Sequence, residues 1–177
     1  MKRVEFHPIG IIRTPFKEVN GMPIQAAAAH GVKGRVEVSP AYQTGLKDLS
    51  GFSHIILLYH FHRIRESKLI VIPFLDSKPH GVFATRAPAR PNPIGLSVVK
   101  LTGIEGNVLM VENIDVLDGT PLLDIKPYVP EFDNCRARRI GWLSKAKTRA
   151  GTTRSDERFV SRRRGERNSK SRSQKDR

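Results

Sequence analysis

The apolar residues of this chain come in short runs, each soon closed by proline, glycine or charge. The longest runs from Ile55 to Phe61, with His60 inside it. That is far below the ~20 residues a membrane-crossing helix needs, and Ile55 to His62 suits a central buried strand. Val4 to Arg13 opens with alternation and carries Ile9, Ile11 and Ile12, and Gly34 to Val38 alternates valine with charge as a half-buried strand does. Leu69 to Ile72 is stopped by Pro73. Ser97–Ile104 and Val108–Glu112 flank Glu105-Gly106-Asn107, a hairpin turn. Leu122 to Tyr128 is extended, since Pro121 and Pro127 limit helix. Short helices fit around Pro40 to Leu49. The expectation is a mostly β chain, a small barrel or sandwich with few helices. No parallel βαβ pattern and no G-x-G-x-x-G loop occurs, which argues against a Rossmann-type nucleotide site.

Charge divides the chain unevenly. The formal net charge is +14 over 177 residues. Residues 1–135 hold 15 basic and 13 acidic side chains, a net of +2, whereas residues 136–177 hold 16 and 4, a net of +12. A one-sided basic segment favours polyanions through counterion release and steering; the plainer reading is a solubilising tail. From Ser161 to Arg177 no apolar residue occurs, so burial cannot offset ordering entropy and disorder is expected. Between body and tail, residues 136–160 offer Ile140, Trp142, Leu143, Phe159 and Val160 as anchors for loose docking. The expected organisation is therefore a folded body at 1–135, a docked basic extension at 136–160 and a basic tail at 161–177. The amino end lacks an apolar signal core, and Cys135 is the only cysteine, so neither export nor an internal disulfide is expected. A cytoplasmic protein fits these features.

Two constellations could carry chemistry. In Gly81 to Gly95, Pro88, Pro91 and Pro93 stiffen an arm bearing Arg86, Arg90 and Asn92. A guanidinium pairs naturally with carboxylate or phosphate, although these arginines could simply pair with nearby acids. In Asp115 to Tyr128, Asp118-Gly119 signals a turn. Beyond it Asp124, Lys126 and Tyr128 recur at a spacing of two, which in a strand puts acid, ammonium and phenol on one face. That face is a candidate catalytic wall or, more plainly, a salt bridge beside a surface tyrosine. His60 and His62 share a strand face, but no third ligand lies near them in sequence, so no metal site is expected.

Taken together, Ile9-Gly10-Ile11-Ile12-Arg13-Thr14-Pro15-Phe16, Gly51-Phe52-Ser53-His54, Ala84-Thr85-Arg86 with Arg90 to Gly95, and Asp118 to Pro121 with Asp124 to Tyr128 closely resemble the TrmO family of tRNA (adenine-N6)-methyltransferases. The resemblance covers about residues 5 to 133. It implies a β-barrel methyltransferase fold, S-adenosylmethionine as donor, and a homodimer with the pocket at the subunit interface. It also implies a substrate, threonylcarbamoyl-adenosine beside the anticodon of tRNA. The family's donor pocket carries over to Pro23, Ile24 and Gln25, to His62 and Arg63, to Arg86 and Leu96, and to the turn Leu117, Asp118, Gly119 and Thr120. Asp118, Asp124 or Tyr128 could accept the proton that N6 loses. Some relatives carry a folded extra domain at the carboxyl end, where this chain has its basic tail. Two other functions stay open: a non-catalytic donor- or RNA-binding protein on this fold, and a methyltransferase for another acceptor.

Overall fold

The alternation read in the sequence closes on itself. A computed structural model describes residues 3–160; the expected disordered tail at 161–177 lies outside them. Six strands form a closed antiparallel barrel: β1 (Gly10–Arg13), β2 (Lys33–Val38), β3 (His54–His60), β6 (Ile94–Glu105), β7 (Val108–Glu112) and β8 (Thr120–Pro127). Their order around the barrel is β1-β2-β7-β6-β3-β8, with β8 pairing back onto β1. Two short strands, β4 (Ile70–Val71) and β5 (His80–Gly81), pair separately. The Pro40 to Leu49 region forms 3-10 helices at Pro40–Leu46 and Leu49–Gly51. Of Val4 to Arg13, only the last four residues enter the barrel.

Period-two alternation supplies the core. Ile12, Val36, Ile55, Leu57, Val99, Leu109, Ile114 and Leu122 are fully buried inside the barrel. On β3, Ile55, Leu57 and Tyr59 point inward, leaving Ile56 and Leu58 on the outer face. They lie opposite Val98 and Leu96 of β6, respectively. The β6–β7 turn uses Gly106 at φ 59°, the left-handed region that favours glycine.

One irregularity redirects β8. Tyr59 pairs with Leu122 but Leu58 pairs with Asp124, so Leu123 is an extra residue in the ladder. Such a bulge shifts the inward set by one. Thr120 and Leu122 face the interior before it; after it Ile125 packs on the core, and Asp124 and Lys126 turn outward.

Residues 136–160 dock against the arm and the β4–β5 region. Trp142 stacks on His80 with ring centroids 4.6 Å apart and donates Nε1–H to the Ala84 carbonyl at 2.8 Å. Arg149 donates to the Leu75 carbonyl, and Phe159 packs on Phe74 and on the cluster of Val71, Val82 and Ala87. The Ser155 hydroxyl donates to the Val19 carbonyl, and Pro23 bridges to Arg154. Among the described residues no helix is long and apolar enough to cross a membrane.

Candidate functional site

Where β3 and β6 leave the barrel, their ends, the proline-rich arm, the β7–β8 loop and the docked extension enclose a cavity of about 810 Å³. That is within the ~300–1,000 Å³ usual for small-molecule sites. Its walls are largely apolar and aromatic, with Phe61, Phe74, Trp142 and Phe159 among them. Pro23, Ile24 and Gln25, His62 and Arg63, Arg86, Leu96, Leu117 and Thr120 all line it. Stretches far apart in sequence therefore meet at one place.

The arm divides its arginines. Arg90 is structural: its Nη1 donates to the carbonyls of Val82 and Thr85 at 3.1 and 3.0 Å, and its guanidinium lies over the Phe83 ring. Arg86 is exposed on the cavity wall and has no hydrogen-bond or ion-pair partner among the described residues. Its charge is thus available to an anionic group.

The Leu117–Thr120 turn presents its two ends to the cavity and its middle elsewhere. Gly119 takes φ 75° and donates its N–H to the Ile12 carbonyl. The Asp118 carboxylate accepts from the Thr14 N–H at 3.0 Å and pairs with Lys17 at 2.7 Å, on the side away from the cavity lining. Those contacts, Lys17 foremost, hold its carboxyl below the usual range. A depressed carboxyl pKa adds stability that is present above the unfolded value near ~3.9 and is lost as pH falls through the folded value. Lys17→Ala is therefore expected to remove at most about 1 kcal/mol near neutral pH, the ordinary worth of an exposed pair. The loss should shrink in acid, as a pH series of urea unfolding would record. A loss that is independent of pH would contradict this pairing.

His62, expected within the strand, sits in the turn two residues beyond β3. Thr120 has one hydroxyl hydrogen and donates it to the Leu117 carbonyl at 2.7 Å. At the 3.3 Å contact with His62 Nδ1 the ring nitrogen is therefore the donor, which leaves Nε2 bare when the ring is neutral. Burial, then the charges of Arg63 and His60, pushes the His62 pKa down, so the neutral form prevails at pH 7.

The wall of Asp124, Lys126 and Tyr128 is not part of the cavity lining. Asp124 and Lys126 form an ion pair at 2.8 Å on the outer face, where the bulge has turned them. Tyr128 packs edge-on against His54, which does line the cavity.

A buried polar group that sequence reading missed lies in the cavity instead. Tyr59 Oη is 3.0 Å from Ser97 Oγ, which donates to Asp115 Oδ1 at 2.6 Å. Gly95, directly opposite Tyr59, makes room for this: a Cβ there would overlap the tyrosine ring. Burial raises the Tyr59 pKa, followed by the nearby Asp115 charge. Burial also raises the Asp115 pKa, against opposing effects led by the Ser97 hydroxyl and including the Arg86 charge.

Comparison with known proteins places these features in context. Residues 11–134 match the family model of the tRNA-methyltransferase O N-terminal domain. A probable S-adenosyl-L-methionine-binding protein of Pyrococcus abyssi is 58% identical over 156 residues, 88% of this chain and 85% of that protein. The human tRNA (adenine(37)-N6)-methyltransferase is 36% identical over 136 residues, 72% of this chain but only 30% of its own length. The crystal structure of TrmO from Pseudomonas aeruginosa superposes with a TM-score of 0.67 at 40% identity, covering 80% of this chain and 63% of that one.

Proposed function

Because this chain belongs to the TrmO family, we propose that it is an S-adenosylmethionine-dependent methyltransferase acting on N6 of threonylcarbamoyl-adenosine at position 37 of tRNA. What carries the reading is convergence: Pro23 to Gln25, His62–Arg63, Arg86, Leu96, Leu117 and Thr120 line one cavity. The chemistry of the cavity suits the donor. Arg86 would take its carboxylate, and the apolar and aromatic walls would take its adenine. When bound, S-adenosylmethionine supplies an electrophilic methyl group on sulfonium. The residues around it contribute alignment and water exclusion, and proximity with orientation can be worth ~7–11 kcal/mol in well-aligned cases.

The target base must leave the anticodon stack to enter such a cavity. A tRNA substrate sets the reaction in the cytoplasm. The assembly we propose is a two-fold homodimer. On the outer face of β3 and β6, Ile56 and Leu58 lie beside Val98 and Leu96, and Leu96, 53% exposed, also lines the cavity. A second copy seated there would cover apolar surface and complete the cavity wall. Light scattering at micromolar concentration is expected to report a dimer; a fully active monomer would contradict it.

The decisive experiment is mass spectrometry of nucleosides from tRNA incubated with the protein and labelled donor. One added methyl on N6 of threonylcarbamoyl-adenosine is expected. Donor binding without transfer to any tRNA would favour a binding protein, as the name of the Pyrococcus relative suggests. Transfer to tRNA lacking the threonylcarbamoyl group would point to another acceptor.

A further inference from the structure

The N6 proton lost on methylation needs an acceptor, and Asp115 is the carboxylate that lines the cavity among the described residues. We infer that Asp115 is that proton acceptor and that Ser97 and Tyr59 are its positioning residues. The inference rests on the methyltransferase reading above.

The barrel builds this arrangement from three places. Tyr59 and Ser97 are inward-facing residues of β3 and β6, and Asp115 follows β7 between Ile114 and Val116, both buried. Ser97 has one hydroxyl hydrogen and gives it to Asp115 Oδ1, so the Tyr59 hydroxyl must donate to Ser97. The hydrogens run in one direction, from phenol to serine to carboxylate, and fix Oδ1. Oδ2 has no side-chain hydrogen-bond partner among the described residues, yet no buried side-chain oxygen there is left without a partner. Oδ2 therefore stays open to the cavity that Asp115 lines. The groups acting on this carboxylate are Ser97 of β6, Tyr59 of β3 and the Arg86 guanidinium of the arm. A salt-bridged structural carboxylate such as Asp118 is engaged through both oxygens by a backbone N–H and an ammonium. Asp115 has no ion pair among the described residues and accepts its one side-chain hydrogen bond from the neutral Ser97 hydroxyl, with its own backbone N–H also acting on it. Burial makes it a stronger base than an ordinary aspartate.

The step balances without a further reactant. The N6 lone pair forms the new N–C bond, and the C–S bond breaks with its electron pair going to sulfur, which becomes a neutral thioether. The N6 proton passes to Asp115 Oδ2 and from there to solvent, which restores the carboxylate.

The test compares full-length wild-type protein with Asp115→Asn, Ser97→Ala, Tyr59→Phe and His62→Gln. Asp115→Asn is expected to keep S-adenosylmethionine affinity by calorimetry, to slow single-turnover methyl transfer by roughly 10²–10⁴-fold, and to lose the acidic limb of the pH–rate profile. Ser97→Ala removes a hydrogen bond that lowers the Asp115 pKa, so that limb should move to higher pH; Tyr59→Phe should slow transfer less than Asp115→Asn. In donor-free protein with ¹³C-labelled aspartate, the carboxyl signal missing from Asp115→Asn should titrate above the ordinary range. Wild-type turnover in Asp115→Asn overturns the inference, as does a fall in donor affinity in step with rate, which would make Asp115 a donor ligand. Loss of turnover only in His62→Gln would assign the proton to the imidazole instead. If Asp115→Asn fails to fold, an unmoved acidic limb in Ser97→Ala overturns the inference. Wild-type protein that methylates no tRNA fails the methyltransferase reading itself, a result read before any variant.

Discussion

Replacing Arg86 with alanine is expected to weaken S-adenosylmethionine binding by about 1–3 kcal/mol, roughly one to two decades in Kd. Arg86 stands exposed on the cavity wall with no hydrogen-bond or ion-pair partner among the described residues, so its removal breaks no direct contact and should not disturb the fold, though it takes a favourable charge from Asp115. Arg90, four residues on, supplies the control. It holds the arm through the carbonyls of Val82 and Thr85, so Arg90→Ala should lower stability first and binding only as a consequence. Calorimetry and thermal unfolding on both variants separate the roles. Unchanged donor affinity in folded Arg86→Ala protein would remove Arg86 from the donor site.

Deleting Ser161 to Arg177 is expected to leave the fold and donor binding intact while weakening tRNA binding. The deleted stretch carries 8 basic and 2 acidic side chains and no apolar residue. The slope of log affinity against log salt should flatten by about 0.7–0.9 for each phosphate that the tail no longer neutralises, so three such phosphates correspond to a change of about 2–3. The competing account has the body grip tRNA through Arg13, Lys17, Lys33 and Arg35. These four do line a second surface cleft, together with Asp118 and Glu112, but Arg13 and Lys17 are already paired with Glu37 and Asp118. Equal affinities and parallel salt slopes for full-length and truncated protein would show that the tail contributes nothing to tRNA binding.

Most of the barrel was legible because its strands alternate. β2, β3, β6, β7 and β8 fall within a few residues of where alternation, a continuous apolar run at β3, prolines at β8 and turn chemistry put them, and Glu105-Gly106-Asn107 is the β6–β7 turn. β4 falls inside the apolar run Leu69 to Ile72, whereas its partner β5, two residues at His80–Gly81, is too short to leave a signal. The side of the barrel on which Asp124 and Lys126 stand was illegible for a definite reason. Asp124 and Lys126 do share a side, as their spacing requires, but the extra residue at Leu123 is invisible in sequence and decides that the side is the outer one. The Tyr59–Ser97–Asp115 chain was illegible for another. Its members are 38 and 18 residues apart, and only barrel closure with glycine at position 95 brings a phenol, a hydroxyl and a carboxylate into line. The arm's two arginines looked equivalent in sequence, and only their surroundings tell them apart.

The docked extension separates two properties that usually travel together. The barrel's core cluster draws on no residue beyond Ile125, yet Trp142, Leu143, Ser155, Phe159 and Val160 form part of the cavity wall. A chain cut at residue 135 would keep every residue of the barrel core and lose that wall. Selection can thus rework residues 136–160 to reshape what the cavity admits, with barrel stability left out of the exchange: the scaffold stays fixed while the fitting is replaced.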